Sequence, residues 1–220
     1  MSARTSLLAG ATGVALFAAA RHGAPLALAS QDAPTTPPAA SVNLMTRDGA
    51  ALVQGQWRYH DVKIIEVDYR TGDGKPARTY DYDPHAGVKD YDDSGWEALD
   101  PTSLGKPRST GKICFSWYRI NVTIPDKVGD FDTSGATAVF DTIVDDYGEI
   151  WVDGKLNYRL GQQGGAVVAG FNAPNRLVVG RNLKPGQKIS IAVFGINGPI
   201  SAAPGNWIFL RHAKLDFYKP

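Results

Sequence analysis

The chain has 220 residues, of which 43% are apolar, 20% charged and 10% aromatic. That fits one globular domain with appendages and excludes a wholly disordered chain. Its 23 Lys and Arg against 22 Asp and Glu give a net charge of +1, too even for a broad nucleic-acid or anionic-membrane footprint. The single cysteine, Cys114, excludes an internal disulfide and a multi-cysteine metal cluster.

In chain order, residues 1–29 read as a secretory signal peptide. Arg4 precedes the uncharged, Ala- and Gly-rich run 6–20, which is shorter than the roughly 20 residues that span a bilayer. Ala27-Leu28-Ala29 then offers small residues at a cleavage site. Neither a lipidation cysteine nor a twin arginine stands there. The expectation is a periplasmic or extracellular protein with no membrane span after cleavage; an uncleaved anchor is the alternative. Residues 30–41 read as a Pro/Ala/Thr-rich tether, because the prolines of the stretch 32–40 (DAPTTPPAA) oppose both helix and ladder pairing. Residues 42–220 are the expected folded domain.

Within that domain the apolar pattern has the period of strands. The stretch 62–67 is β-branched. In 112–124, Tyr118, Ile120, Val122 and Ile124 alternate with Arg119, Asn121 and Thr123, predicting one buried face. Strands are predicted at 138–140, at 149–152 before an Asp153-Gly154 hairpin turn, at 177–179 and at 188–196, where Ile189, Ile191 and Val193 share a face. The last, 207–218, places Trp207, Phe209, Ala213, Leu215 and Phe217 on one apolar face interrupted by Arg211. No long helix is predicted, and 24 Gly and 14 Pro supply many turns. The expected fold is all-β, a β-sandwich.

Ordered segments carry a family resemblance: Asp92-Asp93-Ser94-Gly95-Trp96-Glu97, Ser116-Trp117-Tyr118-Arg119, Tyr147-Gly148-Glu149-Ile150-Trp151-Val152-Asp153-Gly154-Lys155 and Asn182-Leu183-Lys184-Pro185-Gly186. Together they resemble the galactose-binding-like jelly roll, the sugar-binding domain of β-galactosidase-type glycoside hydrolases. Val53-Gln54-Gly55-Gln56-Trp57-Arg58-Tyr59, Tyr80-Asp81-Tyr82-Asp83-Pro84-His85-Ala86-Gly87, Phe171-Asn172-Ala173-Pro174-Asn175-Arg176 and Phe194-Gly195-Ile196-Asn197-Gly198-Pro199 extend the likeness. With them the chain resembles the accessory domain fused to bacterial gluconolactonase-like β-propeller proteins. No propeller is present in these residues, so its metal-dependent chemistry is not carried over. The resemblance implies a secreted jelly roll that touches a saccharide or related polyol.

Sugar binding needs flat apolar surface against C–H faces, with donors and acceptors converging on hydroxyls; Trp and Tyr bring both. The resemblance places ligands on loops at one end of the sandwich, here 57–60, 80–85, 145–147, 171–176 and 197–207. The candidate ligand residues are Trp57, Tyr59, His60, Asp146, Tyr147, Asn172, Asn175, Asn197, Trp207 and Arg211. Trp96, Trp117 and Trp151 read as core, while Trp57 and Trp207 fit core and ligand platform equally. Arg211 on an apolar face calls for a carboxylate or a ligand anion, with the ion pair the simpler reading.

Catalytic candidates are His60 (beside Asp61), His85 (beside Asp81 or Asp83) and Asp146. Asp145, Asp146 and Glu149 are close enough in sequence to ask about glycoside chemistry, which needs two carboxylates about 5–9 Å apart, or to be solvated rim. His60, His85 and His212 lack zinc-motif spacing, and no nucleophile elbow occurs. The stretch 161–165 lacks the Lys and Ser or Thr of a phosphate loop. Cys114, between Ile113 and Phe115, reads as a buried inert thiol. No cofactor or metal site is expected. The acidic group Asp81, Asp83, Asp90, Asp92 and Asp93 leaves structural calcium open, although Asp92-Asp93-Ser94-Gly95 is also a turn and capping sequence. Three functions stand: a secreted carbohydrate-binding protein first, then a small enzyme on the same scaffold acting on a sugar, lactone or phenolic glycoside, then a module that docks a protein partner.

Overall fold

The computed structural model describes residues 33–111, 114–156, 172–197 and 206–220. The expected signal peptide, the glycine-rich stretch 161–165 and parts of the candidate loops 171–176 and 197–207 lie outside the described residues.

The first described elements are β1 (Ala40–Asn43) and a short helix, α1 (Arg47–Leu52), capped by Thr46, whose hydroxyl accepts from Gly49 N at 3.1 Å. There follow β2 (Trp57–Asp61), β3 (Lys63–Arg70), β4 (Pro76–Asp83), β5 (Glu97–Leu99), a single 3₁₀ turn (Pro101–Ser103) and β6 (Arg108–Gly111). The second half comprises β7 (Phe115–Thr123), β8 (Lys127–Val128), β9 (Phe131–Asp132), β10 (Thr137–Asp145), β11 (Tyr147–Val152), β12 (Lys155–Leu156), β13 (Asn175–Gly180), β14 (Lys188–Ile196) and β15 (Asn206–Tyr218).

Two antiparallel sheets form an all-β jelly-roll sandwich. One has the order β1-β15-β10-β13 with β6 also on β15; the other runs β12-β11-β14-β7-β2-β5. From β10 onward the main strands alternate between sheets: β10, β13 and β15 lie in the first, β11 and β14 in the second. The Asp153-Gly154 turn between β11 and β12 has φ of +47° and +79°, as a tight hairpin demands.

The inward alternation predicted for β7 holds: Tyr118, Ile120, Val122 and Ile124 enter the core between the sheets, meeting Ile189, Ile191 and Val193 of β14 and Phe140, Leu215 and Phe217 of the opposite sheet. Each such side chain taken fully from water contributes about 1.5–3 kcal/mol. Gly148 and Gly195 sit directly opposite one another in β11 and β14. A Cβ on Gly148 would lie 2.6 Å from Val144 and one on Gly195 2.5 Å from Ile208, so the bare backbones let the two sheets close at this end.

Three expectations are corrected. The other face of β7 is exposed at Asn121 but covered at Arg119. Trp117 and Arg119 are fully buried, because the segment after β4 folds over the outer face of the second sheet and builds a smaller core from Ala86, Trp96, Trp117, Ala192 and Phe194. Secondly, past Val62, whose N–H still bonds to Phe115 O of β7, the β-branched stretch leaves both sheets. It forms β3, which among the described residues pairs only with β4, in a separate, exposed hairpin.

The third correction concerns β15. Its register against β10 shifts between Ile143 and Val144, where Ile143 faces His212 and Val144 faces Leu210, leaving Arg211 as the bulged residue. A period-two pattern changes face at such a residue. Ala213, Leu215 and Phe217 therefore point inward as expected, but before the bulge Ile208 and Leu210 do so, and Trp207 and Phe209 face outward.

Candidate functional site

The bulge builds an outward-facing group on β15 beside the end of β10. Trp207 is 48% exposed, and Phe209, two residues on, shares its face. Phe209 lies directly across from Asp145. Arg211 donates from Nε to Asp145 Oδ2 at 2.9 Å, its second nitrogen grips the same oxygen, and its guanidinium carbon lies 5.3 Å from the Phe209 ring centroid. Arg211 is thus an exposed, ion-paired residue that the bulge takes off the apolar face. Behind this group, Asn197 is buried and its side-chain amide donates to the Trp207 carbonyl, fixing the start of β15 against the end of β14.

A polar cluster fills the adjoining end of the sandwich. The Tyr59 hydroxyl donates to Asp61 at 2.6 Å, and the Arg108 guanidinium lies 5.0 Å from the Tyr59 ring centroid. Burial first, then Asp61, pushes the Tyr59 phenol far above its ordinary range. Cys114 is buried, and burial raises its thiol; Ser109 opposes the rise while Asp61 and Asp146 add to it. Both burial and the shift disfavour its thiolate, the reactive form. Asp146 is buried, and its carbonyl accepts from Asn172 N at 2.9 Å. Asn172 has φ of +48°, and its Oδ1 is buried with no hydrogen-bond partner among the described residues. Tyr147 follows at the start of β11, half-buried.

The remaining candidates fall elsewhere. Trp57 is fully buried and its indole N–H donates to Leu44 O at 2.9 Å, so it is core and not a ligand platform. Asn175 is a buried strand residue opposite Thr142, its amide donating to Ala173 O at 3.3 Å. His60 stacks near Trp96, with ring centroids 5.1 Å apart. Its Nδ1 faces the Asp61 backbone oxygen, while the Asp61 carboxylate serves Tyr59, so no His60–Asp61 side-chain pair forms. His85 does pair with Asp81, at 3.1 Å, and stacks on Tyr82. Asp145 and Glu149 do not converge. The chain crosses between sheets at Asp146, leaving Asp145 outward on the first sheet and Glu149 outward on the second. The acidic group is dispersed too. Asp81 holds His85, Asp92 caps Ser94 N, and Asp93 holds Arg119. Among the described residues no group of three His, Cys, Asp or Glu side chains is arranged to hold a metal ion.

Two residues outside the ligand candidates take places that alternation alone does not indicate. Arg119, on the face of β7 opposite the apolar positions, is buried and holds the covering segment through Asp93 and the carbonyls of Ala86, Val88 and Lys89. Glu149 is half-buried rather than rim, opposite Phe194. The alternation Tyr147-x-Glu149-x-Trp151 was the available signal for a shared face.

No protein-family model matches the chain, and no curated protein does. Among solved structures it is similar to a Faecalibacterium prausnitzii beta-glucuronidase (14% identity, TM-score 0.33, 73% of this chain and 32% of that one). It is also similar to a beta-glucosidase from Kluyveromyces marxianus (14%, 0.33, 86% and 20%) and to a GH31 alpha-xylosidase from Xanthomonas citri (17%, 0.26, 81% and 17%). The chain spans about a third or less of the length of each. Values this low say nothing about a shared ligand.

Proposed function

We propose that this is a carbohydrate-binding β-sandwich protein whose ligand lies against Trp207. The observation that carries the reading is the outward Trp207–Phe209 surface with the Arg211–Asp145 pair fixed beside it. The flat ring offers dispersion contact to the C–H face of a pyranose, and the guanidinium and carboxylate offer a donor and an acceptor to its hydroxyls. The galactose-binding-like resemblance, which places ligands on end loops, supports the same location.

The test is thermal stability against sugars, aldonic acids, lactones and phenolic glycosides. A ligand at about 100 times its dissociation constant adds about 2.7 kcal/mol. A shift with the compound intact, lost in Trp207→Ala, supports binding; consumption of the compound would make the protein an enzyme. A second reading, docking of a protein partner, is favoured by the β3–β4 hairpin, which exposes Ile64, Ile65, Tyr69 and Tyr80. No shift with any compound would move the assignment there.

A further inference from the structure

The outer face of the second sheet carries a carboxylate framed by aromatic rings, apart from the Trp207 surface. Glu149 points outward from β11, with Tyr147 and Trp151 two residues to either side on the same face, each about 7 Å along the strand. Phe194 of β14 lies directly opposite. Tyr82, from the segment that covers this sheet, packs against Phe194 with ring centroids 5.3 Å apart, and His85 stacks on Tyr82 at 4.3 Å. Tyr147 and Trp151 thus flank one half-buried acid along β11, Phe194 faces it across the ladder, and Tyr82 packs on Phe194.

The charge of that acid is not answered within the described residues. The nearby cation, Arg119, is committed to Asp93 and to backbone carbonyls, and His85 is committed to Asp81. Among the described residues the Trp151 indole N–H steadies the Glu149 charge, yet that nitrogen is buried and makes no hydrogen bond of ordinary geometry. Burial accordingly pushes the Glu149 carboxyl above its usual range, and its charge in turn raises the Tyr82 phenol, after burial. A half-buried anion beside aromatic rings is complementary to a small cation too weakly hydrated to resist leaving water.

We propose that Glu149 and its ring frame form a binding site for an organic ammonium group, with the rings contacting its alkyl substituents and the carboxylate balancing its charge. A neutral sugar would leave the buried charge unanswered, and a metal ion would find one carboxylate where it needs several oxygens. The site is independent of the Trp207 surface, so either can fail alone.

The experiment titrates the full chain with choline and with its neutral isostere 3,3-dimethyl-1-butanol, following the Trp151 indole N–H resonance, assigned by Trp151→Phe. Choline should bind at least about tenfold more tightly than the isostere. Glu149→Gln should remove that preference while the isostere still binds, and Trp207→Ala should leave both affinities unchanged. Equal affinity of the two probes for the native chain, or no saturable shift with choline up to about 50 mM, would overturn the proposal. That comparison needs no variant, so a misfolded Glu149→Gln would not rescue the idea. Retention of the preference in a folded Glu149→Gln would also overturn it.

Discussion

Arg119 and Asp93 meet at 2.9 Å, Nε to Oδ2, with the arginine side chain 2% exposed and the aspartate 16%. This pair ties the middle of β7 to the segment that roofs the outer face of the second sheet. The rest of the guanidinium binds the carbonyls of Ala86, Val88 and Lys89 and lies 5.5 Å from the Tyr91 ring centroid. A buried cation left without its anion is costly, so Asp93→Ala should lower unfolding free energy by about 3–5 kcal/mol in urea titrations. A loss below about 1 kcal/mol would mean that the backbone carbonyls alone hold Arg119.

The two candidate tryptophans should separate cleanly. Trp57→Ala empties a core position and should cost about 3–5 kcal/mol. Trp207→Ala removes an outward ring and should cost under about 1 kcal/mol while abolishing any sugar-induced rise in melting temperature. A Trp207→Ala variant that keeps the ligand response would remove Trp207 from the site.

Closure of the sandwich beside the site depends on Gly195. Adding a methyl there drives it into Ile208, 2.5 Å away in the adjacent sheet. Gly195→Ala should cost about 1–3 kcal/mol. Because Ile208 adjoins Trp207, it should also change the Trp207 fluorescence.

Glu149 makes a pH-dependent prediction. Its carboxyl is raised in the folded state by burial, partly opposed by Trp151. The folded chain therefore holds the proton more tightly than the unfolded one. Stability from this group is complete below the unfolded value, about pH 4.3, and is lost as pH rises through the higher folded value. Glu149→Gln removes that loss. It should melt above the native chain at pH 7, with the gap closing below about pH 4. A variant that melts lower at pH 7 would show that Glu149 is paired in solution.

At alkaline pH the buried phenols act in the same sense. Tyr59 and Tyr118 are both raised well above the ordinary value, chiefly by burial. Their stabilisation is present below about pH 10 and lost as pH rises beyond it. Spectrophotometric titration of the 9 tyrosines should leave two unionised until the chain unfolds. Titration of all of them in the folded state would contradict the burial of this pair.

Local patterning was enough for the fold class and for most strands. Period-two runs in β7 and β14 named their inward faces, because alternation follows from strand geometry alone. Asp153-Gly154 announced its hairpin, and the expectation that Trp96 and Trp117 are core agrees with their burial.

What the tertiary structure decided was which of two faces met another layer. Arg119 looks solvated in sequence, and only the segment from β4 to β5 folding back over β7 buries it. Arg211 looks like a charge on a core face, and only the cross-strand register exposes the bulge that turns Trp207 and Phe209 outward. Asp145 and Glu149 are four residues apart yet belong to different sheets, since a crossover at Asp146 separates them. Alternation is a property of one strand; register, covering layers and crossovers are properties of pairs of distant segments, and no local pattern encodes those pairings.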